Sequence, residues 1–256
     1  MICYMSTGAR ETITRSGASG FTGLHAKVLD RLGTAIADGS YPVGSVLYID
    51  HLMSEYTVSR SVIRECLRVL ASMGLVESRR RLGTQIRPKH EWNVFDPQVI
   101  RWRLGSADRG AQLRSITELR TAVEPQAARL AAARASHEAG SDLVVVAAQM
   151  WTAGKMGDLD TFLDLDIEFH RMVLAASGNE MLLKLSDLVT EVLIGRHAYG
   201  LMPHHPDEQA LRLHADVAQS IQRGDGESAY QSMVAIMVQA MDEMGSIWEG
   251  DHPAPS

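Results

Sequence analysis

The run Val58-Ser59-Arg60-Ser61-Val62-Ile63-Arg64-Glu65-Cys66-Leu67-Arg68 constrains this chain more than any other stretch. Wound as a helix, it gathers Val58, Val62, Ile63, Cys66, Leu67 and Leu70 on one face and Arg60, Ser61, Arg64 and Arg68 on the other. One face demands a core and the other presents cations to a partner. Just ahead, Asp50 to Tyr56 reads as a shorter helix, Thr57-Val58-Ser59 as a tight connection, and Ser59 as the cap of the helix that follows. Two short helices joined this way, the second with arginines near its start, have the geometry of a helix-turn-helix whose second helix enters the DNA major groove. Arg60 and Arg64 then face the nucleic acid.

Gly74 to Ser78 and Thr84 to Ile86 are strand-like, and Arg79-Arg80-Arg81-Leu82-Gly83 between them is a basic turn with a glycine able to take positive φ. This is the pattern of a winged helix-turn-helix with a cationic wing. Residues 24–88 resemble the GntR-type transcription regulators, in Val58-Ser59-Arg60, Arg64-Glu65, Gly74-Leu75-Val76 and the wing glycine. The resemblance implies DNA contact by Ser59, Arg60, Ser61 and Arg64, with Gly83 as the wing glycine; Arg79, Arg80 and Arg81 add salt-dependent attraction to phosphates. One departure is plain. Many relatives have Leu-Pro-Ser-Glu-Arg where this chain has Leu47-Tyr48-Ile49-Asp50-His51, so a further DNA-binding arginine lacks a counterpart.

The net charge of −6 argues against nucleic acid until it is divided along the chain. Residues 1–90 hold 12 Lys and Arg against 7 Asp and Glu, whereas residues 91–256 hold 13 against 24. The basic part reads DNA, and the acidic part is left to regulate or dimerise. No apolar run approaches the 20 or so residues of a membrane span, no secretory signal is visible, and Cys3 and Cys66 stand far apart, so the sequence predicts a cytoplasmic protein.

The expected fold is mainly α: a disordered arm over 1–20, a winged helix-turn-helix over 21–88, a linker over 89–97, and an all-helical effector-binding and dimerisation domain of six to seven helices over 98–250. Leu24, Val28, Leu32 and Ile36 mark the first helix, ended by Gly39 and Pro42. Asp96-Pro97 starts a short helix that carries Trp102 inward. Later helices are expected near 109–135, 138–154, 159–176, 179–199, 207–223 and 226–248. Leu119-Arg120 with Val123-Glu124-Pro125, Asp166 with Phe169-His170, Ala176-Ser177-Gly178-Asn179, and His214 ahead of Gly224-Asp225 resemble the FCD effector domain, in its larger, FadR type. Trp92-Asn93, Asp96-Pro97 and Trp102 are similar to GntR members that respond to sugar acids, the galactonate type among them.

Polar residues on apolar stripes mark the candidate pocket. Arg120 shares a stripe with Ile116, Val123 and Ala127; Asp166 and His170 share one with Phe162 and Val173; His214 shares one with Ala210, Val217 and Ile221. Buried charges need partners, which can be each other or a ligand. Arg120 suits a carboxylate through its planar guanidinium, with Asp166, His170 and His214 receiving hydroxyls. The competing readings are an exposed Arg120–Glu124 pair and a satisfied hydrogen bond within the core between Asp166 and His170. Metal-binding FCD domains use an Asp and three His, which implies Asp166, His170, His214 and the position of Ile236 here. Ile236 cannot ligate, so a divalent Zn, Ni or Mn would have three protein ligands and an effector or water to complete its shell. The Met233, Met237, Met241 and Met244 stripe reads as bundle and dimer packing, His204 and His205 as solvated loop residues, and Cys66 as a buried thiol.

These features predict a homodimeric repressor of a catabolic operon, bound to double-stranded operator DNA and released by a small hydroxylated carboxylic acid, a sugar acid first. The rivals are a metal-dependent FCD regulator answering to a hydroxy- or dicarboxylic acid, a metallo-hydrolase built on Asp166, His170 and His214, and an architectural DNA-binding dimer with no pocket.

Overall fold

The computed structural model describes residues 23–80, 82–201 and 206–245. The expected arm over 1–20, Arg81, His204, His205 and the chain beyond 245 lie outside the described residues. The N-terminal unit runs α1 (Leu24–Ala37), β1 (Val46–Leu47), α2 (Ile49–Tyr56), α3 (Arg60–Ser72), β2 (Val76–Arg79) and β3 (Gly83–Ile86). After a single 3₁₀ turn at Lys89–Glu91 come α4 (Pro97–Leu104), α5 (Arg109–Arg134), α6 (His137–Met156), α7 (Leu159–Ala176), α8 (Glu180–Leu183), α9 (Ser186–Ala198), α10 (Glu208–Arg223) and α11 (Gly226–Glu243).

The helix-turn-helix forms as its pattern requires. Ile63, Cys66, Leu67 and Leu70 of α3 are buried with Leu29, Leu32 and Ile36 of α1 and with Leu52 of α2, while the arginine side of α3 stays outside. Thr57 turns the chain between α2 and α3 at φ 54, a left-handed conformation that is costly for a β-branched residue and is held here by the packing of both helices. Ser59 stands at the start of α3, but its side chain makes no capping bond. Its Oγ pairs with Ser61 Oγ at 2.8 Å instead, so both hydroxyls sit at the exposed helix start rather than on the backbone.

The wing is a three-stranded antiparallel sheet in the order β1-β3-β2, with Val76 opposite Ile86 and Val46 opposite Gln85. β1 has only two residues, too short for an alternating pattern to announce it. Gly83 is required twice over: its φ is 103, and a Cβ there would lie 2.8 Å from Val46 Cγ1.

α4 belongs to two cores. Val99 and Trp102 pack with the winged unit, and Ile100 and Leu104 with the bundle. Asp96 caps this helix by accepting from Gln98 N at 2.9 Å, ahead of Pro97 in its first turn. Trp102 lies flat on Gly33, where any Cβ would collide with the indole, and donates from Nε1 to Asp30 at 2.8 Å.

In the bundle, α5 packs on α7, α10 and α11, and α6 on α7 and α10. The stretch expected as one helix over 179–199 is two, α8 and α9. Ser186 Oγ takes the Leu183 carbonyl at 2.7 Å and Leu185 N bonds Leu182 O, which interrupts the α-helical ladder between them. Met233, Met237 and Met244 are buried in the bundle core. Cys66 is fully buried, 3.8 Å from the His25 carbonyl, and burial pushes its thiol up to about 11.

Candidate functional site

Two surfaces concentrate the chemistry. On the winged unit, Arg60, Ser61, Arg64 and Arg68 occupy the exposed side of α3. Arg60 forms an ion pair with Asp50 of α2, and Arg79 with Glu77 of β2 at 2.6 Å; each arginine side chain is still more than half exposed. Exposed pairs of this kind contribute about 0–1 kcal/mol, so they do not prevent either guanidinium from turning to a phosphate. Asp50, in the short helix ahead of the turn, is the residue that holds Arg60.

The second surface is a cleft inside the bundle, about 60 Å³ in volume, between α5, α7, α9, α10 and α11. All four residues expected from polar interruptions of apolar stripes line it: Arg120, Asp166, His170 and His214. They are 2–5 % exposed. Ile236 lines it too, inward as its stripe required.

These groups form one connected network. Arg120 Nε donates to Glu124 Oε1 at 2.5 Å, with both side chains almost wholly buried, so the pair is internal rather than the exposed one considered from sequence. Glu124 Oε2 also meets His170 Nδ1. His170 Nε2 lies 3.3 Å from Asp166 Oδ1 and 3.3 Å from Arg120 Nη2, and His214 Nε2 lies 3.3 Å from the same Asp166 oxygen. The other His214 nitrogen, Nδ1, is 2.7 Å from the Ala210 carbonyl, which can only accept, so Nδ1 carries a proton and the ring is held with Nε2 toward the cleft.

Charge follows from that geometry. Burial would raise the Glu124 carboxyl, but Arg120 and His170 overcome it and hold it down at about 2. For Asp166, burial is likewise outweighed by the two imidazoles, which keep it far below the usual carboxylate range. Burial would lower His170, yet Glu124 and Asp166 carry it up to about 9. Two cations and two anions thus offset one another in the cleft wall.

Sequence reasoning missed three members of this site, Glu124, Arg196 and Glu243. Glu124 was considered only as a surface partner, whereas it holds both Arg120 and His170. Arg196 of α9 is 5 % exposed, lines the cleft, and donates from Nη2 to Glu243 of α11 at 2.6 Å. The stripe rule that flagged Arg120 also finds Arg196, four residues after Val192 and three after Leu193, both buried.

Asp166, His170 and His214 each offer a ligand atom within 4.8 Å of the others, all buried. Neither Asp166 Oδ1 nor His214 Nε2 has an aligned hydrogen-bond partner among the described residues. A carboxylate oxygen and two imidazole nitrogens aimed at one place are a donor set that suits a divalent transition metal.

A winged helix-turn-helix joined to a helical bundle is the architecture of a DNA-binding transcription regulator. Residues 24–86 match the gntR family of bacterial regulatory proteins and residues 115–239 match the FCD domain, so the chain belongs to the GntR family and carries an FCD domain. It is similar to the galactonate operon transcriptional repressor of Escherichia coli (strain K12), 29% identical over 226 residues that cover 86% of this chain and 96% of that protein. It is also similar to the HTH-type transcriptional regulator LutR of Bacillus subtilis (strain 168), 25% identical over 209 residues, 78% of this chain and 91% of that one. The solved structure of Lar, described as controlling the Listeria monocytogenes agr system, shares the fold at a TM-score of 0.52 and 16% identity, over 90% of this chain and all of that one. The family's members are transcription regulators and not enzymes, which disposes of the metallo-hydrolase.

Proposed function

We propose that this chain is a repressor that binds a two-fold symmetric operator as a homodimer in the cytoplasm and lets go when a small hydroxylated carboxylic acid enters the bundle cleft. Ser59, Arg60, Ser61 and Arg64 meet the major groove, and Arg79, Arg80, Arg81 and the Gly83 turn meet the flanking backbone. One module with so few base contacts binds weakly; two on adjacent half-sites add their energies.

The observation that carries the acid-sensing half is the cleft itself. Arg120, Asp166, His170 and His214 form a buried wall of donors and acceptors at a cost that a purely architectural dimer has no reason to bear. Alternating charge and hydrogen-bonding capacity suit a polyhydroxy acid, and the galactonate repressor's name supports a sugar acid as the first choice. Glu124 and Arg120 orient His170, while Asp166 and His214 accept from or donate to hydroxyls.

Asp166, His170 and His214 would also hold a divalent metal, Zn, Ni or Mn, which when bound would supply a Lewis-acidic centre for the acid's oxygens. Ile236 leaves the protein contribution at three ligands. A thermal-shift panel of aldonic and hydroxycarboxylic acids, with and without a chelator, tests the reading. Stabilisation by an aldonate supports it, and an unchanged melting temperature with every acid would remove the effector role. Stabilisation that vanishes with chelator would assign the metal.

A further inference from the structure

The cleft contains two guanidiniums in very different situations. Arg120 is tied to Glu124, 1 % exposed and itself held by His170, so this pair has nowhere to go. Arg196 is nearly as buried, but its partner Glu243 sits on the last turn of α11 with a side chain 27% exposed, at the lip of the same cleft. Arg196 Nε is buried with no hydrogen-bond partner among the described residues. A guanidinium in that position holds one carboxylate oxygen and has a second donor left for the other.

Space points the same way. An apolar cavity of about 150 Å³ holds one benzene, and this cleft measures about 60 Å³. A sugar acid therefore needs more room than the inner cleft offers as it stands, and a lining group that can move supplies it. Glu243 can leave most readily, because it alone of the paired acids facing the cleft reaches water without unpacking the bundle.

We propose that Arg196 anchors the effector's carboxylate and that Glu243 is its built-in competitor, a protein carboxylate that occupies Arg196 until the acid displaces it. This rests on the acid-sensing reading above and names the charged end of the ligand. Gln239 supports the exchange: its Nε2 holds Glu243 Oε1 at 3.2 Å, and its Oε1 is a buried acceptor with no partner among the described residues, ready for a ligand hydroxyl. The cleft then selects for a carboxylate at one end and hydroxyls at the other, and the neutral sugar of the same skeleton fails because it cannot replace Glu243.

Isothermal titration of the full-length protein with D-galactonate, D-gluconate and neutral D-galactose at ~150 mM salt tests this. The parent should bind at least one acid and not galactose. Glu243→Gln removes the competing charge and should bind that acid about fivefold or more tighter, and Arg196→Gln should bind it on the order of 100-fold more weakly. If the parent binds no acid, the acid-sensing reading falls and this inference with it. If the parent binds but Glu243→Gln binds equally or less tightly, the competitor role is overturned while the reading stands. Since Glu243 is partly exposed, that variant decides the matter even if Arg196→Gln does not fold.

Discussion

Arg101 of α4 and Glu191 of α9 grip each other through two hydrogen bonds, Nε to Oε2 at 3.0 Å and Nη2 to Oε1. Glu191 is 7% exposed and Arg101 44%, so the pair is half sheltered. Its importance lies in what each end is attached to. Arg101 is followed by Trp102, bound to Asp30 of α1 and seated on Gly33, and Glu191 precedes Arg196 on the same helix by five residues, about 7.5 Å along its axis. A displacement of α9 at the cleft therefore has a direct mechanical route to the winged unit.

Glu191→Gln should break that route and leave both ends working. Acid binding by calorimetry should stay within about twofold of the parent. The acid concentration needed to release operator DNA should rise about fivefold or more, the size of an ordinary coupling energy. Unchanged release would show that α4 is not the transmitter.

Arg64→Ala should weaken operator binding by about 1–3 kcal/mol per half-site at ~150 mM salt and leave acid binding alone. Arg64 is the sharper test than Arg60, because it is exposed without an ion pair among the described residues, whereas Arg60 is shared with Asp50. Asp50→Asn should accordingly tighten DNA binding slightly, by freeing Arg60 and removing a negative charge. Electrophoretic mobility measurements over a salt series check both.

Gly83→Val should destabilise the wing by about 1–3 kcal/mol, since it places a β-branched residue at φ 103 and a Cβ against Val46. Urea unfolding followed by circular dichroism would register the loss. Operator affinity should fall with it, because the basic turn loses its fixed position.

Cys66 should resist alkylation in the native protein and react only on unfolding, as a fully buried thiol raised to about 11 must. Rapid labelling by iodoacetamide under native conditions, read by mass spectrometry of the Cys66 peptide, would contradict the packing of α3 against α1.

The course of the main helices was legible because their cores are local in sequence: Val58 to Leu70 and Leu24 to Ile36 show one apolar face each, and Asp96-Pro97 marks a start that needs no tertiary information. Arg120, Asp166, His170 and His214 were legible as polar breaks in apolar stripes. Partnership was not. Glu124 reads as an i+4 surface partner of Arg120, and only the approach of α7 buries the pair and gives His170 to it. Arg196 breaks the α9 stripe of Val192 and Leu193 in the same way, yet neither it nor Glu191 names the residue it will meet. Their partners, Glu243 and Arg101, are 47 and 90 residues away. The break at Ser186 depends on one hydroxyl choosing a carbonyl, and β1 on two residues finding β3, neither of which leaves a periodic trace.

The decisive measurement is fluorescence anisotropy of labelled DNA from upstream of the chain's own coding region, saturated with the protein at ~150 mM salt and titrated with D-galactonate, D-gluconate and neutral D-galactose. The account predicts a high-anisotropy complex that falls to the value of free DNA as one of the acids is added and is untouched by galactose. A complex just as stable with calorimetrically confirmed acid in the cleft as without it would contradict the claim that the bundle makes DNA binding conditional on a small acid.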